Sequence, residues 1–134
     1  MKYMLDTNII IYLINRRSES ALRTFYRHSP EDICISAITL AELEYGVCNS
    51  SRPEQNRLAL LTFLSAITVL PFDSKASVEY GTIRHELQKQ GTPIGNNDLL
   101  IASHARSLDL TLVTNNTKEF TRVPDLKVSD WSVH

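Results

Sequence analysis

Residues 1–13 read MKYMLDTNIIIYL, and the fold turns on the three polar residues in the middle. Asp6-Thr7-Asn8 interrupt what is otherwise an almost unbroken apolar run. A charge at the junction of two buried segments is costly unless something there binds it. The run before it, Tyr3–Leu5, has the length of a short strand, and the apolar stretch after it reads as a helix beginning near Asn8.

The same alternation continues along the chain. Short β-branched runs at Ile33–Ser36, Thr68–Leu70 and 111–114, with a short edge strand near 127–128, are each followed by an amphipathic stretch. Ser51 with Glu54 three residues on reads as a capping box, and Pro53 suits the first turn of the helix that runs into RLALLTFLSA. Asp73 is placed to cap a helix over Ser74–Gln90 with Val78, Ile83 and Leu87 as its apolar positions, and Gly91 offers a left-handed stop. Strands alternating with helices predict a mostly parallel sheet covered on both faces.

Composition bounds the rest. The 134 residues, 43% hydrophobic, suffice for one domain over 1–134 and are too few for two ordinary ones. No stretch reaches the ~18 apolar residues of a membrane span, and the start lacks a basic region followed by a cleavable apolar segment, so a soluble, cytoplasmic protein is expected. Cys34 and Cys48 show no CxxC pattern and suggest neither disulfide nor zinc. The net charge of −1 argues against a uniformly basic face for nucleic acid. Setting four acids aside as metal ligands, however, leaves 11 acidic against 14 basic side chains, enough for a local phosphate-binding face.

Ligand sites of open parallel sheets lie beyond the carboxyl ends of the strands. Four acids fall at such junctions: Asp6 after the first strand, Glu42 one or two turns into the helix after ICIS, Asp98 at the opening of its helix, and Glu119 in the NNTKEF turn. Carboxylates gathered at one edge repel one another unless a cation neutralises them, which predicts a hard divalent metal, Mg2+ or Mn2+. Each acid also has a plainer reading. Asp6 could cap the helix that follows it, Glu42 could close a capping box with Thr39, Asp98 could be a first-turn acid favoured by the helix dipole, and Glu119 could be an exposed turn acid. Glu44, Glu79, Glu86 and Asp109 sit among Lys and Arg and read as solvated. His28, His85, His104 and His134 have no metal-ligand spacing and receive no role. No GxSxG, Gly-rich phosphate loop or defensible Cys/His pair is present.

The segments MLDTNIIIYL, ITLAELEYG, GTPIGNNDLLIASHA and LVTNNTKEFTRVPDLKVSDW, in this order and spacing, resemble the PIN domain and, within it, the VapC ribonuclease toxins of bacterial toxin–antitoxin modules. The likeness runs almost end to end. It implies a three-layer α/β/α sandwich and a Mg2+-dependent endoribonuclease acting on structured RNA. The RNA would be tRNA, with initiator tRNA favoured, or rRNA, and cutting it would inhibit translation. Asp6, Glu42 and Asp98 match the family's acidic metal ligands, and Glu119 matches its less uniform fourth acid. Many family members place an Asp where Asn116 stands here, so the resemblance leaves open whether Asn116 or Glu119 completes the site and whether one or two metals bind. Thr7, Asn8, Asn97, Thr114 and Asn116 fit supporting roles. Arg16, Arg17, Arg52, Lys118 and Arg122 are candidate phosphate contacts, each with a solvated surface charge as the alternative.

The resemblance further implies a VapB antitoxin whose C-terminal segment blocks the acidic site, operator DNA bound only through that antitoxin, and a homodimer. The very apolar helix at 58–67 gives the antitoxin modest support, with an ordinary buried helix as its plainer reading. Two rivals remain. Phosphoaspartyl enzymes place a second acid where Asn8 stands or an acidic pair at the first strand's end, and neither is present. A catalytically degenerate PIN domain that binds RNA or protein is disfavoured by retention of all four acids.

Overall fold

In the computed structural model, which describes residues 1–133, five short strands form one sheet in the order β3-β2-β1-β4-β5. Along the chain these are β1 (Tyr3–Leu5), α1 (Thr7–Ile14), α2 (Glu19–Arg27), a 3-10 turn (Pro30–Asp32), β2 (Ile33–Ser36), α3 (Ala37–Cys48), α4 (Pro53–Leu64), β3 (Thr68–Leu70), α5 (Ser74–Gln90), α6 (Asn96–Ser107), β4 (Thr111–Val113), α7 (Thr117–Phe120) and β5 (Lys127–Ser129). Every strand pairing is parallel. The strands lie where the sequence places them, except that β4 stops one residue short, at Val113, and β5 runs on to Ser129.

Side chains on a strand alternate between faces, and here the alternation sorts them into two cores. Leu5, Ile33, Ile35 and Val113 pack under α1 to α4 with Ile9, Ile10, Leu13, Leu43 and Leu60. Met4, Cys34 and Leu112 pack on the other face with Ile83, Leu87, Ile101 and Phe120. Burial on both faces explains why the strands read as near-continuous apolar runs, and it yields the expected three-layer sandwich.

The caps expected for α5 are present: Asp73 accepts from the Ala76 N–H, and Gly91 ends the helix at φ 71°. Its inward stripe is Ala76, Tyr80, Ile83 and Leu87, whereas Val78 is 70% exposed because it lies off that 3.6-residue row. The Ser51–Glu54 capping box does not form. Arg52 occupies the cap position without a side-chain bond, and Pro53 at the first position has no N–H to satisfy. Nor do Thr39 and Glu42 form one, because α3 starts earlier: Ser36 caps it through the Ile38 N–H, which places Thr39 inside the first turn. Thr39 is fully buried there, and its hydroxyl has no hydrogen-bond partner.

The apolar stretch at 58–67 is not an ordinary buried helix. α4 ends at Leu64, packs on α3 and α1 along one side, and leaves Leu58 and Leu61 67% and 58% exposed. The sequence reading assigned no separate helix to residues 19–27, where α2 begins with Ser18 accepting from the Ala21 N–H. Cys34 is buried, Cys48 is exposed, and both are free thiols. No helix among the described residues is long and apolar enough to cross a membrane. His134, given no role from sequence, lies outside the described residues.

Ile10 is fully buried between α1 and the sheet. Ile10→Ala is expected to cost about 3 kcal/mol in denaturant unfolding, through lost transfer energy and a cavity. Thr39→Val keeps the shape and removes the unpartnered hydroxyl, and is expected to raise stability by about 1 kcal/mol.

Candidate active site

The sheet order makes the site. The chain runs outward from β1 through β2 to β3, then crosses back to lay β4 and β5 on the other side of β1. The reversal opens a crevice at the carboxyl ends of β1 and β4, the place where such sheets bind ligands. Asp6 is the first residue after β1 and Thr114 the first after β4, and both are buried. The Thr114 hydroxyl donates to Asp6 Oδ2 at 2.5 Å, and the Ile9 N–H donates to Oδ1 at 3.0 Å. Asp6 is thus both the cap of α1 and an acid of the crevice, because its two oxygens do different things.

The other three acids converge from three helices. Glu42, in the second turn of α3, accepts from the Thr7 hydroxyl and from Asn97 Nδ2 at 3.2 Å. Asp98 is the third residue of α6. Glu119, in α7, accepts from the Gly95 N–H at 2.8 Å and from Asn116 Nδ2 at 2.7 Å. The Asn116 N–H in turn donates to Thr114 Oγ1 at 2.9 Å. The amide standing where an acid was anticipated therefore holds Glu119 in place. Asn8 is exposed and makes no hydrogen bond to these acids among the described residues.

Electrostatics register the crowding. Asp6 is pushed up to about 6, first by burial, with the hydrogen bonds from Thr114 and Ile9 opposing and the charges of Glu42 and Asp130 adding to it. Asp98 is pushed up to about 7, first by burial and then by the charges of Glu119, Asp6 and Glu42. Among the described residues, no three His, Cys, Asp or Glu side chains stand close enough to grip an ion as they are placed. The donor set nonetheless suits a hard divalent cation: it is all oxygen, three of its acids are oriented by neutral donors, and its surplus negative charge is what a cation relieves.

Asp130, which follows β5, escaped sequence reasoning, although its place at a strand's carboxyl end is the same signal that marked the others. Its Oδ1 is engaged by the Ser132 N–H and hydroxyl at 2.8 and 2.5 Å. A Ser–His pair was also missed. Ser36 and His104 are hydrogen-bonded at 2.8 Å, but both are buried, and burial holds the imidazole below its usual pKa. Arg16 and Arg17 follow the far end of α1, about 12 Å along the helix from Asp6, and Arg52 precedes α4. Of the candidate phosphate contacts, Lys118 and Arg122 flank Glu119 in the chain. Of the acids read as solvated, Glu44, Glu79 and Asp109 pair with Arg57, Arg106 and Lys127 at 2.7, 2.9 and 3.2 Å. Glu79 and Glu86 are half-buried.

The sequence matches the family described as PIN domain over residues 3–126. It is 48% identical over 132 residues to Ribonuclease VapC2 of Rickettsia felis, covering 98% of each chain. It is 46% identical over 132 residues to the tRNA(fMet)-specific endonuclease VapC of Shigella flexneri, covering 98% of this chain and 99% of that one. In structure it is similar to the chain in the crystal structure of VapBC2 from Rickettsia felis bound to a promoter DNA fragment, with a TM-score of 0.91, 47% identity, and 98% of this chain and 99% of that chain covered.

Both raised carboxyls favour the protonated form in the folded state, so their stabilising effect is present below about pH 4 and is lost as pH rises through 6 and 7. In EDTA, the melting temperature is expected to fall by several degrees between about pH 5 and about pH 8. Mg2+ should restore it at the higher pH, and Asp98→Asn should flatten the profile. A melting temperature in EDTA that does not change over that range would contradict this electrostatic picture.

Proposed function

The chain belongs to the PIN-domain family and to its VapC ribonucleases, and from that premise we propose that it is the toxin of a VapBC-type toxin–antitoxin pair, a divalent-metal-dependent endoribonuclease. The observation that carries the reading is the meeting of Asp6, Glu42, Asp98 and Glu119 at the crevice between β1 and β4, with three of the four held by Thr114, Thr7, Asn97, Asn116 and the Gly95 N–H.

Asp6 and Asp98 would chiefly hold a Mg2+ ion, or Mn2+ in its place, with Glu42 and Glu119 completing one site or sharing a second. The ion would supply positive charge against the phosphoryl oxygens and acidify water. The chain's own residues do the positioning. Thr114 fixes the rotation of the Asp6 carboxylate, and the clamp on Glu119 closes the side of the crevice formed by α6 and α7. No side chain is set to attack: the Ser36–His104 pair is buried away from solvent, and Ser36 already caps α3. Water is then the nucleophile, and cleavage leaves 5′-phosphate and 3′-hydroxyl ends.

The substrate we favour is tRNA, initiator tRNA first, because the Shigella flexneri relative carries that specificity in its name. Cutting it in the cytoplasm would inhibit translation. A VapB antitoxin would neutralise the enzyme and contribute the operator-DNA contact, a pairing supported by the R. felis complex. Its C-terminal segment would block the acidic crevice, and the apolar groove of about 680 Å³ lined by Leu13, Phe25, Leu58 and Phe63 is a further surface it would cover. A homodimer with a single domain per chain fits the same reading. A degenerate binding module is the second reading, disfavoured by the three oriented acids.

Total tRNA incubated with antitoxin-free protein is expected to be cut in Mg2+ and left intact in EDTA or with Asp98→Asn, and Thr114→Val should slow cutting by about 10- to 100-fold. Cyclic phosphate ends on the products would sink the water mechanism. Absence of cutting by folded, metal-supplied protein on tRNA and rRNA alike would favour the binding module.

A further inference from the structure

Four carboxylates at one edge repel the backbone of any RNA strand that approaches them, so cations must offset that repulsion close by. Several basic side chains near the sheet are already committed: Arg57, Arg106 and Lys127 pair with carboxylates. Two arginines tied to the loop that leads into α6 are not. Arg84, on α5, donates from Nη1 to the Tyr80 hydroxyl at 2.9 Å and lies over the Tyr80 ring at 5.9 Å, and that hydroxyl donates to Asn96 Oδ1 at 3.1 Å, at the first residue of α6. Arg122, just past α7, donates from Nη1 to the Pro93 carbonyl at 3.0 Å. The two are therefore tied to opposite ends of the short loop, residues 93–96, that delivers Asp98 and whose Gly95 N–H holds Glu119.

Both arginines are exposed, and among the described residues neither lies within ion-pair distance of a carboxylate. A guanidinium has five N–H donors, so one neutral bond each leaves a full charge and most of the fork available. These bonds also fix each side chain in advance, lowering the entropy lost when it takes a phosphate.

We propose that Arg84 and Arg122 grip the sugar–phosphate backbone of an RNA strand at two points, one at each end of the 93–96 loop, and so hold the strand against the acidic crevice. The proposal rests on the ribonuclease reading above and adds the residues that seat its substrate. Tyr80 acts as a positioning residue, linking the Arg84 fork to the start of α6.

The test is binding of fluorescently labelled bulk tRNA to the full chain carrying Asp98→Asn, titrated over a range of KCl concentrations, with Arg84→Ala, Arg122→Ala and the pair added. Each loss is expected to weaken binding on the order of tenfold and to flatten the log–log salt dependence by roughly 0.7 to 0.9. Arg→Lys at either position should keep the slope, because the point charge remains. In the otherwise native chain, the double variant should raise KM for tRNA while kcat holds. An unchanged slope in the double variant, with tRNA still cut by the native chain, overturns the grip alone. An unchanged slope with weakened antitoxin binding also overturns it and assigns the arginines to the protein partner. Absence of both cutting and tRNA binding by the folded native chain overturns the ribonuclease reading and the grip with it.

Discussion

The burial of like charges at one sheet edge is the constraint around which this molecule is arranged. A parallel sheet brings the ends of all its strands, and the starts of the helices that follow, to one edge. Any acid at those junctions is therefore drawn toward the others. Here burial first, and the charges of neighbouring acids after it, raise Asp6 and Asp98 well above the usual carboxylate range. The fold tolerates this because Asp6, Glu42 and Glu119 are each oriented by neutral donors from a different element. Thr114 is the pivot: it donates to Asp6, accepts from the Asn116 N–H, and its own N–H extends the ladder to Ser129. One hydroxyl thus couples β1, β4 and the turn that carries Glu119.

Much of this was legible in the sequence because two periodicities and a few caps dominate it. Short apolar runs followed by amphipathic ones gave the strands, Asp73 and Gly91 gave the bounds of α5, and acids at strand ends gave the crevice. What escaped has physical causes. Whether Asp6 is a cap or a site acid has no single answer, because a carboxylate has two oxygens and uses one for each. The Thr39 capping box failed because Ser36, at the end of β2, already starts α3, and the Ser51 box failed because α4 starts at Pro53 with Arg52 in the cap position. Asp130 was passed over because the short β5 gave little sign that its end reached the same edge. Asn116 could be read as a loss until the structure placed its amide on Glu119.

The apolar surface follows a separate logic. α4 shows Leu58 and Leu61 to solvent, and the groove beside it is lined by Leu13, Phe25 and Phe63. None of those residues is needed to gather the acids, which come from β1 and the starts of α3, α6 and α7. The acids and this exposed apolar groove therefore occupy different parts of the chain.

The C-terminal turn has a consequence of another kind. Ser132 folds back on Asp130, and this turn tucks the chain's single tryptophan, Trp131, against the Tyr3 ring and stacks it on His28 at the end of α2. The indole is 5% exposed and belongs to the core under α1 to α4, on the face of the sheet away from α5 and α6. The protein carries its one indole in one half of a two-sided fold. Its emission follows the seating of α2 and the last residues, so it offers an optical signal for loosening of that half alone, read without attaching any label.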